Sequence, residues 1–84
     1  MSFDISQLTD AQRGAIIEAV IHRSGSFTSG TAAQDVDVVV AFGLNATVRD
    51  RMDAVRGMFL TMERDGMIKR VNSIWWRNVE GELD

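Results

Sequence analysis

The chain has no cysteine and no proline, and a single histidine among its 84 residues. Without cysteine there is no disulfide, no thiolate metal site and no cysteine nucleophile. That absence fits a reducing compartment. The lone histidine, His22, has no second histidine or cysteine to share a metal with, and no evident partner for nucleophilic catalysis. The lack of proline and a modest seven glycines suit compact helices with short connections. No apolar run approaches the roughly 18 residues of a membrane span. The first ten residues, MSFDISQLTD, are acidic and polar where a signal peptide would be basic and then apolar. The expectation is an intracellular, cytoplasmic protein with no membrane partner. There is no phosphate-cradling glycine loop, since Gly25 and Gly30 are isolated turn residues. No carboxylate pair is placed for acid–base work. The chain reads as a non-enzyme without a cofactor or metal.

Eighty-four residues make one expected domain, 1–84, with a short arm at 1–7 and an acidic tail at 80–84. The net charge is −3, with hydrophobic residues at 45% and charged residues at 25%, ordinary for a globular chain. The charge is polarised. Residues 1–44 carry a net of −3, residues 45–79 a net of +3, and Glu80, Glu82 and Asp84 return the sum to −3. The acidic total opposes non-specific attraction to a polyanion, while the basic excess of 45–79 favours it locally.

The longest stretch with one clear period is Asn45 to Asp65. Val48, Met52, Val55, Phe59 and Met62 recur at steps of four and three, which puts them within roughly 40° of Val48 on one helical stripe. That stripe is expected to face the core. Met58 and Leu60 fall off it and are candidates for a dimer or partner contact. Gly57 lies opposite it, either as a tolerated surface glycine or as a point of close approach. Asn45 or Thr47 caps this helix, and Asp65-Gly66 ends it.

Upstream, Thr9 and Gln12 form a capping-box pattern that opens a first helix ending near Arg23. Its apolar face is Leu8, Ala11, Ala15, Ile16, Ala19 and Val20. Phe27-Thr28 suits a very short strand. Thr31 and Gln34 repeat the cap-and-glutamine pattern, so a second helix is expected from Ala33 to about Phe42, stopped at Gly43. Its run of valines also suits a strand, but the acidic opening and the cap favour helix. Downstream, Met67–Val71 and Ile74–Val79 read as a hairpin around the pair Asn72-Ser73. Trp75 and Trp76 are adjacent on its second strand and must point to opposite faces. One covers the core; the other is a candidate contact residue.

Helix, short strand, helix, tight turn, helix and hairpin, in that order, resemble a winged helix-turn-helix. FTSGTAAQDVDVVVAFGLNATVRDRMDAV resembles the helix, Gly-Leu turn, polar cap and Thr-Val-Arg start of that family. MERDGMIKRV resembles the end of its recognition helix and the basic strand that follows. The resemblance covers about two-thirds of the chain. It implies an α+β, mainly α fold of three helices with a C-terminal β-hairpin wing. It also implies sequence-specific binding of double-stranded DNA, as in a transcriptional regulator without an effector domain. Carried onto this chain, Ala46, Arg49, Asp50 and Asp53 would face base edges, with Arg49 able to read a guanine. Asn45 and Thr47 would meet phosphates at the helix start. Arg51 and Arg56 would add to the basic face, and Lys69, Arg70 and Arg77 would be the wing's phosphate contacts. Asp50 and Asp53 oppose this reading unless they are engaged locally, and Asp53 has Arg49 and Arg56 at helical spacing. A homodimer would fit paired half-sites. The alternative is a winged-helix module that binds a protein partner, with Met58, Leu60, Trp75 and Trp76 as contacts.

Overall fold

The computed structural model describes residues 7–21, 23 and 25–79. Residues 1–6 of the expected arm 1–7, His22, Ser24 and the acidic tail 80–84 lie outside the described residues, and so do the expectations attached to them. The fold is mainly helical with one small antiparallel sheet. The order is α1 (Asp10–Ile21), α2 (Ser29–Ala33), α3 (Val36–Phe42), α4 (Val48–Arg64), β1 (Ile68–Arg70) and β2 (Trp76–Asn78). No helix of the described residues is long and apolar enough to cross a membrane.

α1 opens on the capping box its sequence spells. Gln12 N–H donates to Thr9 Oγ1 at 3.1 Å, and Thr9 N–H donates to Gln12 Oε1 at 3.0 Å. Ile16 and Val20 are buried on its inner face, Leu8 is buried just ahead of it, and Ala11 is exposed. α1 packs chiefly on α3, and α2 chiefly on α4.

The expected second helix is two. Thr28, not Thr31, caps α2 by accepting from Thr31 N–H at 3.1 Å. Asp35 then caps α3 by accepting from Asp37 N–H at 3.0 Å. A short acceptor side chain that bonds the backbone ahead of it starts a helix and does not sit inside one. Asp35 therefore breaks what the valine run would otherwise continue. That run is helical from Val36, and Gly43, at φ 82°, stops it with its N–H on Val39 O.

Thr47 caps α4 and Asp50 completes a reciprocal box, at 3.1 and 3.2 Å. Gly66, at φ 81°, ends the helix. Its N–H donates to Glu63 O, and Met67 N–H donates to Met62 O, the paired bonds of a Schellman turn. The buried face of α4 is Arg51, Ala54, Val55, Met58, Phe59 and Met62. It is centred roughly 50° around the helix from Val48. Val48 itself is 48% exposed and Met52 only partly buried, which corrects the upper part of the expected stripe. α2 presents Ala32 and Ala33, both fully buried, and packs on α4, which buries Ala54. Small side chains let two helices approach closely, so the buried face turns towards α2.

The hairpin register is Ile68↔Asn78, Lys69↔Arg77 and Arg70↔Trp76. A two-residue turn at Asn72-Ser73 would pair Arg70 with Trp75, so the register is displaced by one residue. Asn72 causes the shift. Its Oδ1 accepts from Ile74 N–H at 3.1 Å and Trp75 N–H at 3.0 Å, and Val71 N–H closes the loop on Trp75 O at 2.8 Å. A shift of one reverses the faces of a strand. Trp76 thus turns inward at 5% exposure, and Trp75 outward at 40%. On its other edge β2 bridges Phe27: Phe27 N–H donates to Trp76 O at 2.8 Å, and Trp76 N–H to Phe27 O at 2.9 Å. Phe27, Phe59 and Trp76 make two edge-to-face ring contacts, at 5.4 and 5.5 Å. They join the sheet to α4 in the middle of the core. Asn78 ties the sheet to α1: its Nδ2 donates to Val20 O at 2.7 Å, which also accepts from Arg23 N–H at 3.0 Å, and to Arg23 O at 2.9 Å, both at the C-terminal end of the helix.

Candidate functional site

α4 and the hairpin separate the expected contact residues into four groups. The first is the exposed face of α4. Arg49 and Arg56 are seven residues apart, so they lie within roughly 20° of one another around the helix. Both are exposed, and neither takes part in an ion pair or side-chain hydrogen bond among the described residues. Leu60 continues this face at 49% exposure. Asp53 lies between the two arginines and is exposed, but the expected Arg49–Asp53 and Asp53–Arg56 ion pairs are not formed among the described residues. Asp50, by contrast, has its carboxylate on Thr47 N–H. One of the two aspartates on this face therefore has a local structural task. Asn45 and Thr47 are exposed at the start of α4, next to partly buried Ala46.

The second group is the outer face of the hairpin. Lys69 and Arg77 are directly paired and both exposed, and paired residues share a face. The third group is its inner face. The Arg70 guanidinium sits 4.6 Å above the Trp76 ring, and its Nη2 is 3.5 Å from Glu63 Oε1. Trp76 takes both ladder bonds from Phe27, so Arg70–Trp76 is the close, non-hydrogen-bonded kind of pair. That closeness brings the cation onto the ring. Arg70 is therefore on the opposite side of the hairpin from Lys69 and Arg77. The six basic residues do not form one patch.

The fourth group is buried. Arg51, at 9% exposure, donates Nε–H to Ala33 O at 3.0 Å and an Nη1 hydrogen to Ala46 O at 3.1 Å. It joins the end of α2 to the turn before α4 and is not part of any surface. Met58, at 6%, belongs to the core beside Phe59 and Ala54. Its expected place off the stripe is on the side of α4 that is buried. Met58 is thus corrected from a surface contact to core; of the two tryptophans, one of which is expected to cover the core, Trp76 does so, and Leu60 and Trp75 are exposed. Gly57 is partly buried and its carbonyl accepts from Thr61 Oγ1 at 3.3 Å.

Between α4 and the hairpin lies an open cleft of about 560 Å³. Met52, Arg56 and Leu60 form one wall, Arg70, Ser73, Ile74 and Trp76 another, and Thr28, Ser29 and Gly30 close one end. Sequence reasoning does not find it, because its residues come from three elements at no fixed spacing. Leu60 and Ile74 in its walls, and Val71 and Trp75 on the hairpin, are each at least 40% exposed, as are Val36, Val40, Leu44 and Val48 on α3, the turn after it and the start of α4. No group of three or more histidine or acidic side chains able to hold a metal occurs among the described residues.

Comparison with protein-family models finds no match, and neither does comparison with curated proteins or with solved structures.

Proposed function

We propose that this chain is a winged helix-turn-helix module that binds double-stranded DNA, in the manner of a small transcriptional regulator. The fold half of the proposal is supported by element order. α1 is followed by the Phe27 bridge, then the short α2, α3, the Gly43 turn, α4 and a hairpin whose second strand pairs back on Phe27. The observation that carries the binding half is the exposed face of α4. Arg49 and Arg56 share one azimuth of a 17-residue helix, with neither guanidinium engaged among the described residues and the neighbouring Asp50 carboxylate occupied by the cap. A helix of that length, presented on one side, fits a major groove. Lys69 and Arg77 on the outer face of the wing are placed for phosphates, and Arg49 for a guanine edge. A homodimer would present two such helices to paired half-sites.

The test is binding to mixed duplex fragments across a salt series. Affinity is expected to fall steeply with salt, and Arg49→Ala with Arg56→Ala to flatten the slope of log K against log salt by about two. Absence of binding at low salt refutes the proposal. A second reading, a protein partner, is favoured by the apolar exposure of Leu60, Val71, Ile74 and Trp75. It predicts a stoichiometric complex that is insensitive to removal of Arg49.

A further inference from the structure

The cleft between α4 and the hairpin combines features that belong to a ligand site more than to a gap between elements. Its volume, about 560 Å³, is within the range of small-molecule sites, roughly 300 to 1,000 Å³. None of its ten lining residues is acidic, in a chain of net charge −3. Two are arginines, on facing walls. Arg70 is held in place by Glu63 and by the Trp76 ring, so its charge is already answered. Arg56 has no such partner among the described residues. One cationic charge is therefore open to a ligand. The walls beside it are apolar: Met52 and Leu60 on α4, Ile74 and Trp76 on the hairpin. Thr28, Ser29 and Ser73 supply hydroxyls at the edges.

From this juxtaposition we infer that the cleft binds a small apolar monoanion, a carboxylate on an aromatic or aliphatic body, with Arg56 taking the carboxylate. A carboxylate suits a guanidinium because two parallel N–H donors match its two oxygens. The body would lie along Leu60 and Ile74, whose exposure it would reduce. The inference stands apart from DNA binding. If the proposed DNA reading also holds, ligand and duplex would compete for Arg56, which would make the ligand an effector.

The experiment needs no DNA. 4-Phenylbutanoate is titrated into the protein, with its neutral amide as control, while methyl resonances of Met52, Leu60 and Ile74 and the tryptophan fluorescence are followed. Saturable shifts confined to these methyls are expected, with the amide weaker by at least about tenfold, the equivalent of about 1.4 kcal/mol. Arg56→Gln, at an exposed position, is expected to weaken the acid by a similar factor and to leave the amide unchanged. Ile74→Ala is expected to weaken both. No saturable shift at millimolar acid, equal binding of acid and amide, or unchanged binding by Arg56→Gln would each overturn the inference. So would a response only to an acidic peptide, which would make the cleft a protein-docking surface.

Discussion

Arg49 and Arg51 are two residues apart and chemically identical, yet they are assigned opposite work by 200° of helix rotation. Arg49 projects to solvent. Arg51 is buried with its guanidinium on the carbonyls of Ala33 and Ala46. Removing Arg51 leaves two buried or half-buried acceptors without a donor, and an unsatisfied buried group costs about 1–3 kcal/mol. Arg51→Ala is accordingly expected to lower the unfolding free energy by that amount, read as a lower urea midpoint at unchanged m-value, whereas Arg49→Ala stays within about 0.5 kcal/mol of the parent. Equal losses for the two would contradict the assignment. Nothing in the string VRDRMDAVR marks which arginine is structural. The difference comes from the carbonyls that the α2–α3 break and the turn before α4 present to one of them, and those are tertiary facts.

At the scale of the element, the parts legible in the sequence were those written in local chemistry. The Thr9–Gln12 box, the Gly43 and Gly66 stops, and the amphipathic span of α4 all depend on residues within one or two turns of each other. What was not legible depended on one side chain choosing between two local partners. Asp35 caps α3 and so splits a helix, and Asn72 gathers two amides and so moves the hairpin register by one. The second choice decides which tryptophan faces inward, and with it which face of the hairpin carries Lys69 and Arg77. Asn78 belongs to the same scale, because it is the link between β2 and the end of α1. Asn78→Asp replaces two donated hydrogens with a carboxylate facing carbonyls at the negative end of a helix. It is expected to destabilise by about 1–3 kcal/mol and by more than Asn78→Ala, read by chemical denaturation. Amide exchange near Val20 and Arg23 should accelerate in parallel. An Asn78→Asp variant as stable as the parent would show that the sheet is held to α1 by packing alone.

For the molecule as a whole, the charge polarity of the sequence is partly undone by the fold. The basic excess of residues 45–79 is distributed over an outer α4 face, two opposite faces of the hairpin and one interior position. The surface that remains for a polyanion is therefore narrower than the sequence suggested, and it is concentrated on Arg49 and Arg56 with Lys69 and Arg77 on the outer side of the hairpin. The apolar rim at Leu60, Val71, Ile74 and Trp75 is a separate surface with a different natural partner. The two surfaces meet at Arg56, which lines the cleft and shares the azimuth of Arg49.

The most direct measurement is a map of backbone amide shifts as a duplex of mixed sequence is titrated in at low salt. DNA binding through α4 predicts that the largest changes fall between Thr47 and Arg56, with a second set at Lys69 and Arg77. No change on titration, or changes confined to Leu60 and Val71–Trp75, would contradict it.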